Sequence, residues 1–329
     1  MRSATVRLPG HPDQACDLVA EAIIDEYLRR DPNSRIRLSV SGGRGVIFVS
    51  GDVVSQADFD VSDLIKRTLG SLGITDEVEP LISLEPVTSE RIVSARLSSE
   101  SLVIITGYAT LETPDGIPAT TSLARRVAKR LHEKREIDPE WFWLGPDAEV
   151  TVVAEKTKPS RVIINIEHSS ESLDIVRSRI ISELADMAPG TIFETNITGP
   201  NERRGLTLAS GASGRTPNVY GSLIPLPSEY IGHDPFSVEK AGAWLTRQAA
   251  LKLVNRGACA VLVQAAYLPG DFKPAFLKAR DERGNDLSAD INLDDLSLDR
   301  VMRDWWRTGL NLDAARWGFA GQAGLPWEE

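Results

Sequence analysis

Gly10-His11-Pro12-Asp13 opens the stretch from which the fold is predicted, residues 10–30. From residue 14 onward, apolar side chains recur at close to 3.6-residue spacing, which predicts an amphipathic helix as far as Arg30. Asp13 holds the position of an N-cap residue, and Pro12 fixes the entry of the chain. The acidic side chains of this helix lie mostly off its apolar face: Asp17, Glu21, Asp25 and Glu26.

The same four residues also allow a functional interpretation. A helix N-terminus favours anions, because its first backbone N–H groups have no partner within the helix. Asp13 offers hard oxygen ligands to a metal ion, and His11 is able to donate a hydrogen bond to an anion. Four residues do not decide between a helix cap and an anion site, so the decision depends on the rest of the chain.

The composition is that of an ordinary globular protein. The chain has 329 residues, of which 42% are hydrophobic and 26% charged, and this length predicts two or three domains. The net charge of -10 argues against non-specific nucleic-acid binding, although a locally positive cleft still suits a polyanion. No apolar run reaches the ~18 residues that a membrane span requires.

The cysteines and the first residues predict a cytoplasmic protein. Only two cysteines are present, Cys16 and Cys259, and both stand in apolar patterns. They are interpreted as buried thiols in a reducing compartment and not as a disulfide framework. The first ten residues contain no hydrophobic signal region.

The order of predicted elements repeats three times along the chain. The first unit has a helix, a hairpin and a helix, predicted at 14–30, 35–53 and 61–72. The second has a strand, a helix, two hairpin arms and a helix, predicted at 102–106, 121–135, 149–153, 161–166 and 172–187. The third has a helix, two hairpin arms and a helix, predicted at 237–255, 259–266, 275–279 and 296–310. We therefore predict an α+β fold of three similar domains, each an antiparallel sheet covered by helices, at 1–93, 94–203 and 204–329.

An irregular stretch of about thirty residues, 196–227, separates the second unit from the third, and long ordered loops are usually functional. Within it, Ser213-Gly214-Arg215 presents one arginine among small residues. Exposed backbone N–H groups beside an arginine suit a phosphate, and the alternative is a flexible surface loop. Gly232-His233-Asp234-Pro235 then repeats the pattern of the opening motif before the next helix.

These motifs, in this order, resemble those of the S-adenosylmethionine synthetases (methionine adenosyltransferases). The resemblance covers most of the chain and is weakest in the C-terminal part. The family has a three-domain, pseudo-threefold α+β fold, which agrees with the predicted repeat. The matching segments are Gly10-His11-Pro12-Asp13, Gln14-Ala15-Cys16-Asp17, residues 107–113, Asn196-Ile197-Thr198-Gly199, Ser213-Gly214-Arg215 and Gly232-His233-Asp234-Pro235.

The resemblance implies a reaction in which the methionine sulfur attacks C5′ of ATP and expels tripolyphosphate, which is then hydrolysed. Such chemistry depends on positioning and on positive charge around the leaving polyanion. His11 corresponds to the catalytic histidine that donates to the leaving triphosphate. Asp13 and Glu239 correspond to the Mg²⁺ ligands, although the family has an aspartate in place of Glu239.

Further site residues follow from the same resemblance. Lys158 corresponds to a phosphate-binding lysine, and Arg215 to the arginine assigned to tripolyphosphate binding and hydrolysis. Asp52 falls where the family binds the methionine amino group with a glutamate. The remaining implied contacts are Pro12, Lys156, Thr216, His233 and Ser237 for the nucleotide and Ser101 for the substrate.

The chain departs from the family mainly where the family has basic residues. The lysine after the opening motif is Gln14 here, and three further basic positions are Thr216, His233 and Ser237. Charge-assisted contacts contribute roughly 1.5–3 kcal/mol each, so their loss slows turnover by orders of magnitude unless Lys156 or a protonated His233 compensates.

Two other departures concern the monovalent ion and the active-site loop. Ser39 stands near the position of an acidic potassium-site residue, which argues against a K⁺ requirement. The family's mobile loop over the active site has no room after residues 82–85, because the next predicted strand follows too soon.

Three functions are compatible with these residues. The first is ATP- and Mg²⁺-dependent synthesis of S-adenosylmethionine, or alkylation of a related nucleophile. The second is ATP cleavage or adenosyl transfer with an acceptor other than methionine. The third is a nucleotide-binding regulatory subunit without catalysis. The family builds its active sites between two subunits, so the resemblance also implies a homodimer or homotetramer.

Overall fold

The computed structural model describes residues 1–75, 77–86, 101–169, 171–202, 205–224 and 230–329. The strands, in chain order, are β1 (Arg2–Arg7), β2 (Arg35–Gly43), β3 (Val46–Val54), β4 (Glu79–Pro86), β5 (Val103–Thr110), β6 (Leu144–Glu155), β7 (Lys158–His168), β8 (Ile192–Thr195), β9 (Ser210–Ala212), β10 (Ala260–Tyr267) and β11 (Phe276–Asp281). The α-helices are α1 (Pro12–Arg30), α2 (Val61–Ser71), α3 (Ala119–Ile137), α4 (Leu173–Leu184), α5 (Gly205–Leu208), α6 (Val238–Asn255) and α7 (Leu310–Arg316).

The sheet nearest the opening motif has the strand order β4-β3-β2-β9. Its centre is the predicted hairpin of β2 and β3, in which Arg44 and Gly45 both have the positive φ of a tight two-residue turn. Along β2, alternate side chains are buried in one core with those of α1: Ile36, Leu38 and Val40. The residues between them are exposed, so the face of β2 that points away from α1 is available to a ligand or a partner.

The other two sheets take strands from distant parts of the chain. β1 pairs with β6 in the sheet β1-β6-β7-β8, from Arg2 opposite Ala154 to Arg7 opposite Glu149. β5 pairs with β10 in the sheet β11-β10-β5. Because of this pairing, both of these sheets contain strands from two predicted domains, so domain boundaries after residues 93 and 203 do not separate the sheets. The domain limits 1–93, 94–203 and 204–329 stay a prediction.

The predicted fold class is confirmed. The molecule is mixed α+β, and most strand pairs are antiparallel; the parallel pairs of the described sheets are β3 with β4 and β7 with β8. The helices cover the sheets, with α1 and α2 in one core, α3 and α4 in a second, and α6 and α7 in a third.

The C-terminal part contradicts the predicted helix at 296–310. A short π-helical turn at Val301–Trp305 stands there instead, and α7 begins only after Gly309, whose φ is 82°. The tryptophans explain this difference, because Trp305 packs near Trp327, which stacks on Trp244 with ring centroids 4.1 Å apart. Packing of large aromatic rings decides the backbone here, and the helical spacing of apolar residues does not.

The two cysteines differ, against the prediction. Cys16 is buried in α1, whereas Cys259 is exposed just before β10. Cys259 lies where the chain passes from a turn into the start of β10, so an apolar sequence pattern overstates its burial. Among the helices of the described chain, none is both long and apolar enough to cross a membrane.

Candidate active site

Helix α1 is capped by His11, and this corrects the predicted cap at Asp13. His11 has extended backbone dihedrals, and its Nδ1 accepts a hydrogen bond from the Asp13 backbone N–H at 3.2 Å. The N-cap is therefore the histidine, and the Asp13 side chain is left for other contacts. Pro12 fills the first helical position, where the absence of an N–H has no cost.

The imidazole of His11 is neutral and has a defined tautomer. Burial and the nearby charge of Arg7 lower the pKa of His11 to about 4, although Asp13 acts in the opposite direction. Because Nδ1 accepts the backbone hydrogen bond, the proton of the neutral ring is on Nε2. His11 therefore presents a neutral N–H donor at the N-terminus of a 19-residue helix, next to the positive end of its dipole.

Asp13 connects three segments of the chain. One carboxylate oxygen accepts from Arg7 Nη1 at 2.7 Å, and the other accepts from the Ala212 backbone N–H at 2.9 Å. Arg7 Nη1 also donates to the Arg215 carbonyl at 3.0 Å. The end of β1, the start of α1 and the arginine loop are thus held together at one place, with the Asp13 side chain 13% exposed.

The loop that carries Arg215 is fixed on both sides. A Cβ at Gly211 would overlap the Pro12 carbonyl carbon, so only glycine allows this close approach to α1. Ser213 pairs with Val40 through its N–H and through its Oγ, which accepts from the Val40 N–H at 3.0 Å. The guanidinium of Arg215 itself is exposed. The backbone of the loop is therefore fixed next to Arg7 and Asp13, and the phosphate role of the exposed Arg215 stays a prediction.

The acidic side chains of α1 are a feature that the sequence prediction missed. Asp17, Glu21 and Asp25 are 1%, 1% and 6% exposed, so they are not on a solvated face. Their spacing of four residues places them in a line along one face of the helix. This repeated i, i+4 pattern is the sequence signal from which the buried line could have been predicted. Each one holds a different segment from the C-terminal half of the chain.

Asp17 anchors the arginine loop. It accepts from the Gly214 N–H at 2.7 Å and from the Thr216 hydroxyl, so the residues on either side of Arg215 are both attached to it. Thr216, a predicted nucleotide contact, therefore helps to attach the arginine loop to α1, and its nucleotide role stays a prediction. Burial raises the pKa of Asp17 to about 7, although both hydrogen bonds act in the opposite direction.

Glu21 and Asp25 anchor the next two segments. Glu21 pairs with Lys240 of α6 at 1% exposure of both side chains, and it accepts from the Gly232 N–H at 2.9 Å. Asp25 accepts from the backbone N–H of Leu312 at 2.9 Å and from Asn311. Helix α1 is therefore the element to which the loops of the site are attached.

A cavity of about 540 Å³ lies on the exposed side of β2. Its polar lining comes from β2 and β3, from the arginine loop and from the segment before α6: Arg37, Ser39, Ser50, Ser213, Gly214, His233 and Glu239. Ser213 and Gly214 precede Arg215, so the arginine loop borders both this cavity and the group at His11.

Glu239 and His233 face each other in this cavity. His233 Nδ1 is 3.5 Å from a Glu239 oxygen, and Arg37 Nη2 is 3.5 Å from the other oxygen. Burial acts against ionisation of Glu239, yet the His233 hydrogen bond and the charge of Arg37 hold its pKa below the ordinary value. Glu239 is therefore an ionised carboxylate, and the two charged side chains beside it, Arg37 and His233, are both 3.5 Å away.

Ser237, another predicted nucleotide contact, caps helix α6. Its Oγ accepts from the Lys240 N–H and donates to the Asp234 carbonyl at 2.8 Å. Asp234 in turn accepts from the Ile36 N–H at 2.6 Å, which attaches the segment to β2. The hydroxyl of Ser237 is thus already engaged in structure, and its nucleotide role stays a prediction.

Lys156 and Lys158 lie far from His11 within one chain. They are exposed at the β6–β7 turn, next to the pairing of Arg2 with Ala154. The chain leaves β1 toward His11 at the other end of β6, where the Leu8 N–H donates to the Ala148 carbonyl. At ~3.4 Å per residue, the strand from 148 to 154 spans roughly 20 Å. The structure therefore does not bring these lysines to His11 within a single chain.

The two predicted substrate contacts are also apart from His11. Asp52 is exposed on β3, directly opposite Arg37 across the hairpin, and so lies near the cavity. Ser101 is exposed just before β5. The segment expected to lack a gating loop continues into residues 87–100, which lie outside the described part of the chain.

The predicted magnesium ligands do not form a preformed metal cage. No group of three or more His, Cys, Asp or Glu side chains suited to a metal exists in the part of the chain that the structure describes. Asp13 has Arg7 as its counter-ion, and Glu239 has Arg37 at longer distance. Single carboxylates of this kind fit Mg²⁺ that arrives with substrate phosphates, since that ion keeps waters and takes only one or two protein oxygens.

Comparison with known proteins agrees with the motif order. The models of the N-terminal and central domains of S-adenosylmethionine synthetase match residues 2–99 and 98–199. The chain is 26% identical to S-adenosylmethionine synthase of Aquifex aeolicus, over 100% of this chain and 96% of that protein. It is 29% identical to the Synechocystis synthase, over 80% and 74%.

A solved structure supports the same fold. It is described as an unusual S-adenosylmethionine synthetase from Campylobacter jejuni, and it superposes with a TM-score of 0.82 at 24% identity, covering 100% of this chain and 97% of the other. The fold, the order of the motifs and the two matched domains lead to one conclusion. The chain belongs to the S-adenosylmethionine synthetase family.

Proposed function

We propose that this protein is a methionine adenosyltransferase, which makes S-adenosylmethionine from ATP and methionine and releases tripolyphosphate. The observation that carries the proposal is the arrangement at the start of α1. A neutral His11 with its proton on Nε2 caps the helix at Asp13, and the Asp13 carboxylate binds Arg7, which in turn donates to the carbonyl of Arg215. This arrangement suits a leaving polyanion, because donors are already oriented where negative charge develops.

The proposed reaction requires little proton transfer. A lone pair of the methionine sulfur forms a bond to C5′ of ATP, and the C5′–O bond breaks with its electrons moving to the oxygen of the triphosphate. His11 Nε2–H and the N-terminus of α1 stabilise that oxygen as it becomes negative. Arg215 pairs with the phosphates, and the contacts of Asp17 on either side keep its backbone in place.

Mg²⁺ is part of the proposal as an ion bound to the phosphates. Asp13 and Glu239 are the residues that would hold it, and the ion would neutralise charge on the leaving tripolyphosphate. Each carboxylate has an arginine as its counter-ion, Arg7 for Asp13 and Arg37 for Glu239. K⁺ is not part of the proposal, because Ser39 brings no carboxylate to the cavity.

The proposed active enzyme contains at least two copies of the chain. Lys158 and His11 stand at opposite ends of the sheet that contains β1 and β6, so one nucleotide reaches both only if the lysine comes from a second copy. The exposed face of β2 and β3 supports this, since Phe48 on β3 is 42% exposed. A homodimer or homotetramer is therefore proposed, and light scattering of the purified protein measures it directly.

A second candidate function is adenosyl transfer to another acceptor. One observation favours it: Asp52, the expected partner of a substrate ammonium group, stands opposite Arg37 and is exposed. The cross-strand neighbour of Asp52 is thus an arginine, which adds a positive charge to the face of the sheet that an amino acid substrate would meet. ATP consumption without S-adenosylmethionine would favour this candidate over methionine.

The test is product analysis by mass spectrometry. The purified protein is incubated with ATP and Mg²⁺, with methionine and without it. The proposal predicts S-adenosylmethionine in amounts that match the released phosphate products, and only when methionine is present. ATP binding without any turnover, with methionine or with other sulfur nucleophiles, would instead indicate the non-catalytic regulatory subunit.

A further inference from the structure

Among the described residues that line the cavity, Arg37 is the one with a permanent positive charge. Its side chain is 63% exposed, whereas the Glu239 side chain beside it is 18% exposed. Any anion that enters the cavity therefore meets Arg37 as its principal cation from this lining.

The backbone explains why Arg37 points to the cavity. The segment before α6 adds to the edge of β2, with Arg37 opposite His233 in an antiparallel bridge. The Leu38 N–H donates to the Gly232 carbonyl at 2.8 Å on one side of this bridge. Cross-strand neighbours project to the same face, so both side chains stand on the exposed side of β2.

One edge of the Arg37 guanidinium is held, and the other is available. Its Nε donates to His233 Nε2 at 3.3 Å, and its Nη2 is 3.5 Å from Glu239. Within the described residues, Nη1 has no hydrogen-bond partner. The planar group is therefore oriented before a ligand arrives, with free N–H groups in the fork geometry that binds oxyanions.

A purely structural role explains Arg37 less well. The segment that it touches is already attached by buried contacts, from the Asp234 carboxylate to the Ile36 N–H and from Glu21 to the Gly232 N–H. An exposed ion pair at 3.5 Å adds little to such an attachment. The fold therefore does not require the available N–H groups of Arg37, and they can bind a ligand.

We propose that Arg37 binds the polyphosphate chain of the nucleotide and of its tripolyphosphate product. The inference rests on the proposed function. The family has basic residues at the positions of His233 and Ser237, and Arg37 is proposed as the cation that takes over their contact with phosphates. A substrate carboxylate is the competing ligand. The direction of the side chain argues against it, because Arg37 contacts Glu239 and His233 and makes no ion pair with Asp52 in the described chain.

The test measures binding of inorganic tripolyphosphate with Mg²⁺ by titration calorimetry, at low and moderate salt. Three variants are compared with the wild type: R37Q, R37K and, as a matched control, R44Q at the exposed β2–β3 turn. R37Q is expected to weaken tripolyphosphate binding about tenfold or more and to reduce its salt dependence. R37K is expected to be intermediate, because it keeps the charge and loses the fork. R44Q is expected to match the wild type.

The outcomes separate this inference from the proposed function. Equal tripolyphosphate binding by R37Q and the wild type, with both folded by circular dichroism, would overturn the role of Arg37. A raised KM for methionine with unchanged tripolyphosphate binding would also overturn it, in favour of a carboxylate ligand. Loss of binding in R37Q would support the role of Arg37 even if the wild type formed no S-adenosylmethionine, a result that would overturn only the proposed function.

Discussion

The start of α1 and the cavity on β2 differ in how their polar groups are held. At the start of α1, Asp13 has contacts of 2.7 and 2.9 Å and the donors around His11 are fixed. In the cavity, Arg37, His233 and Glu239 are 3.3 to 3.5 Å apart. The first region is arranged before substrate arrives, and the second retains polar groups for a ligand to complete. Fixed donors suit the reacting bond, whereas loosely held charges suit binding of a variable polyanion.

The largest expected effect is on the stability of the anchored region, through the buried ion pair of Glu21 with Lys240. Replacing Lys240 by Met leaves the buried Glu21 without its cation, and loss of one partner of a buried pair costs ~3–5 kcal/mol in free energy of unfolding. Urea unfolding measures it. K252M on the same helix is the control, because the pair of Lys252 with Asp295 is about two-fifths exposed, and ~1 kcal/mol or less is expected. Similar losses in both variants would contradict the buried role of Glu21.

The next largest effect tests the chemistry at the start of α1. Asparagine is a good N-cap, so H11N keeps the start of the helix and removes the imidazole donor. Loss of one oriented donor to a developing negative charge lowers kcat by ~10²–10³-fold. Steady-state kinetics with a thermal melt checks activity and fold together. Undiminished kcat in folded H11N would make His11 a helix cap and nothing more.

A pH-dependent effect distinguishes the buried line of carboxylates from the open cavity. The pKa of Asp17 is about 7 in the fold and about 3.9 for an unperturbed aspartate, so the folded state binds a proton more tightly between these values. Its contribution to stability is therefore present at low pH and is lost as pH rises through 7, by ~2–3 kcal/mol between pH 5 and pH 8. The difference in unfolding free energy between wild type and D17N reports this contribution.

The control for D17N is D58N, an exposed position, measured over the same pH range. D58N is expected to run parallel to the wild type, whereas the curve for D17N diverges toward acid pH. Parallel curves for all three proteins would mean that Asp17 ionises normally in the fold.

The smallest expected effect on stability belongs to the cavity. E239Q removes the charge from a carboxylate whose ion-pair partners, Arg37 and His233, are 3.5 Å away, so the free energy of unfolding changes by ~1 kcal/mol or less. Binding of ATP is expected to lose much of its dependence on Mg²⁺, measured by calorimetry with and without the ion. A large loss of stability would place Glu239 with the anchored residues instead.

The sequence predicted the helices and hairpins that rest on regular patterns. Helix α1, the hairpin of β2 and β3 and helix α6 were all placed to within a few residues, because apolar periodicity and turn glycines act locally. Exchange of β1 and β5 between sheets was not predicted, since strand pairing depends on distant residues. The C-terminal helix at 296–310 was wrong for the same reason, because the packing of Trp305 and Trp327 determines that backbone.

Within the site, the sequence predicted which residues lie together better than it predicted what each of them contacts. His11, Asp13 and Arg215 meet at one place, as expected of an anion site, but the cap proved to be His11 and not Asp13. The tasks of Asp17 and Glu21 were missed, because an acidic residue on a helix usually faces water and only the fold surrounds these two with backbone donors. Arg37 belongs to no motif, and its position became visible only with the cavity.

The most direct measurement follows the oxygen between C5′ and the triphosphate. ATP labelled with ¹⁸O at that bridging position is incubated with the wild-type protein, Mg²⁺ and methionine, and the products are examined by mass spectrometry. Attack of sulfur at C5′ predicts S-adenosylmethionine without the label and tripolyphosphate, or its hydrolysis products, with the label. Label that stays on the adenosine product would mean cleavage at phosphorus, and it would contradict adenosyl transfer by this protein.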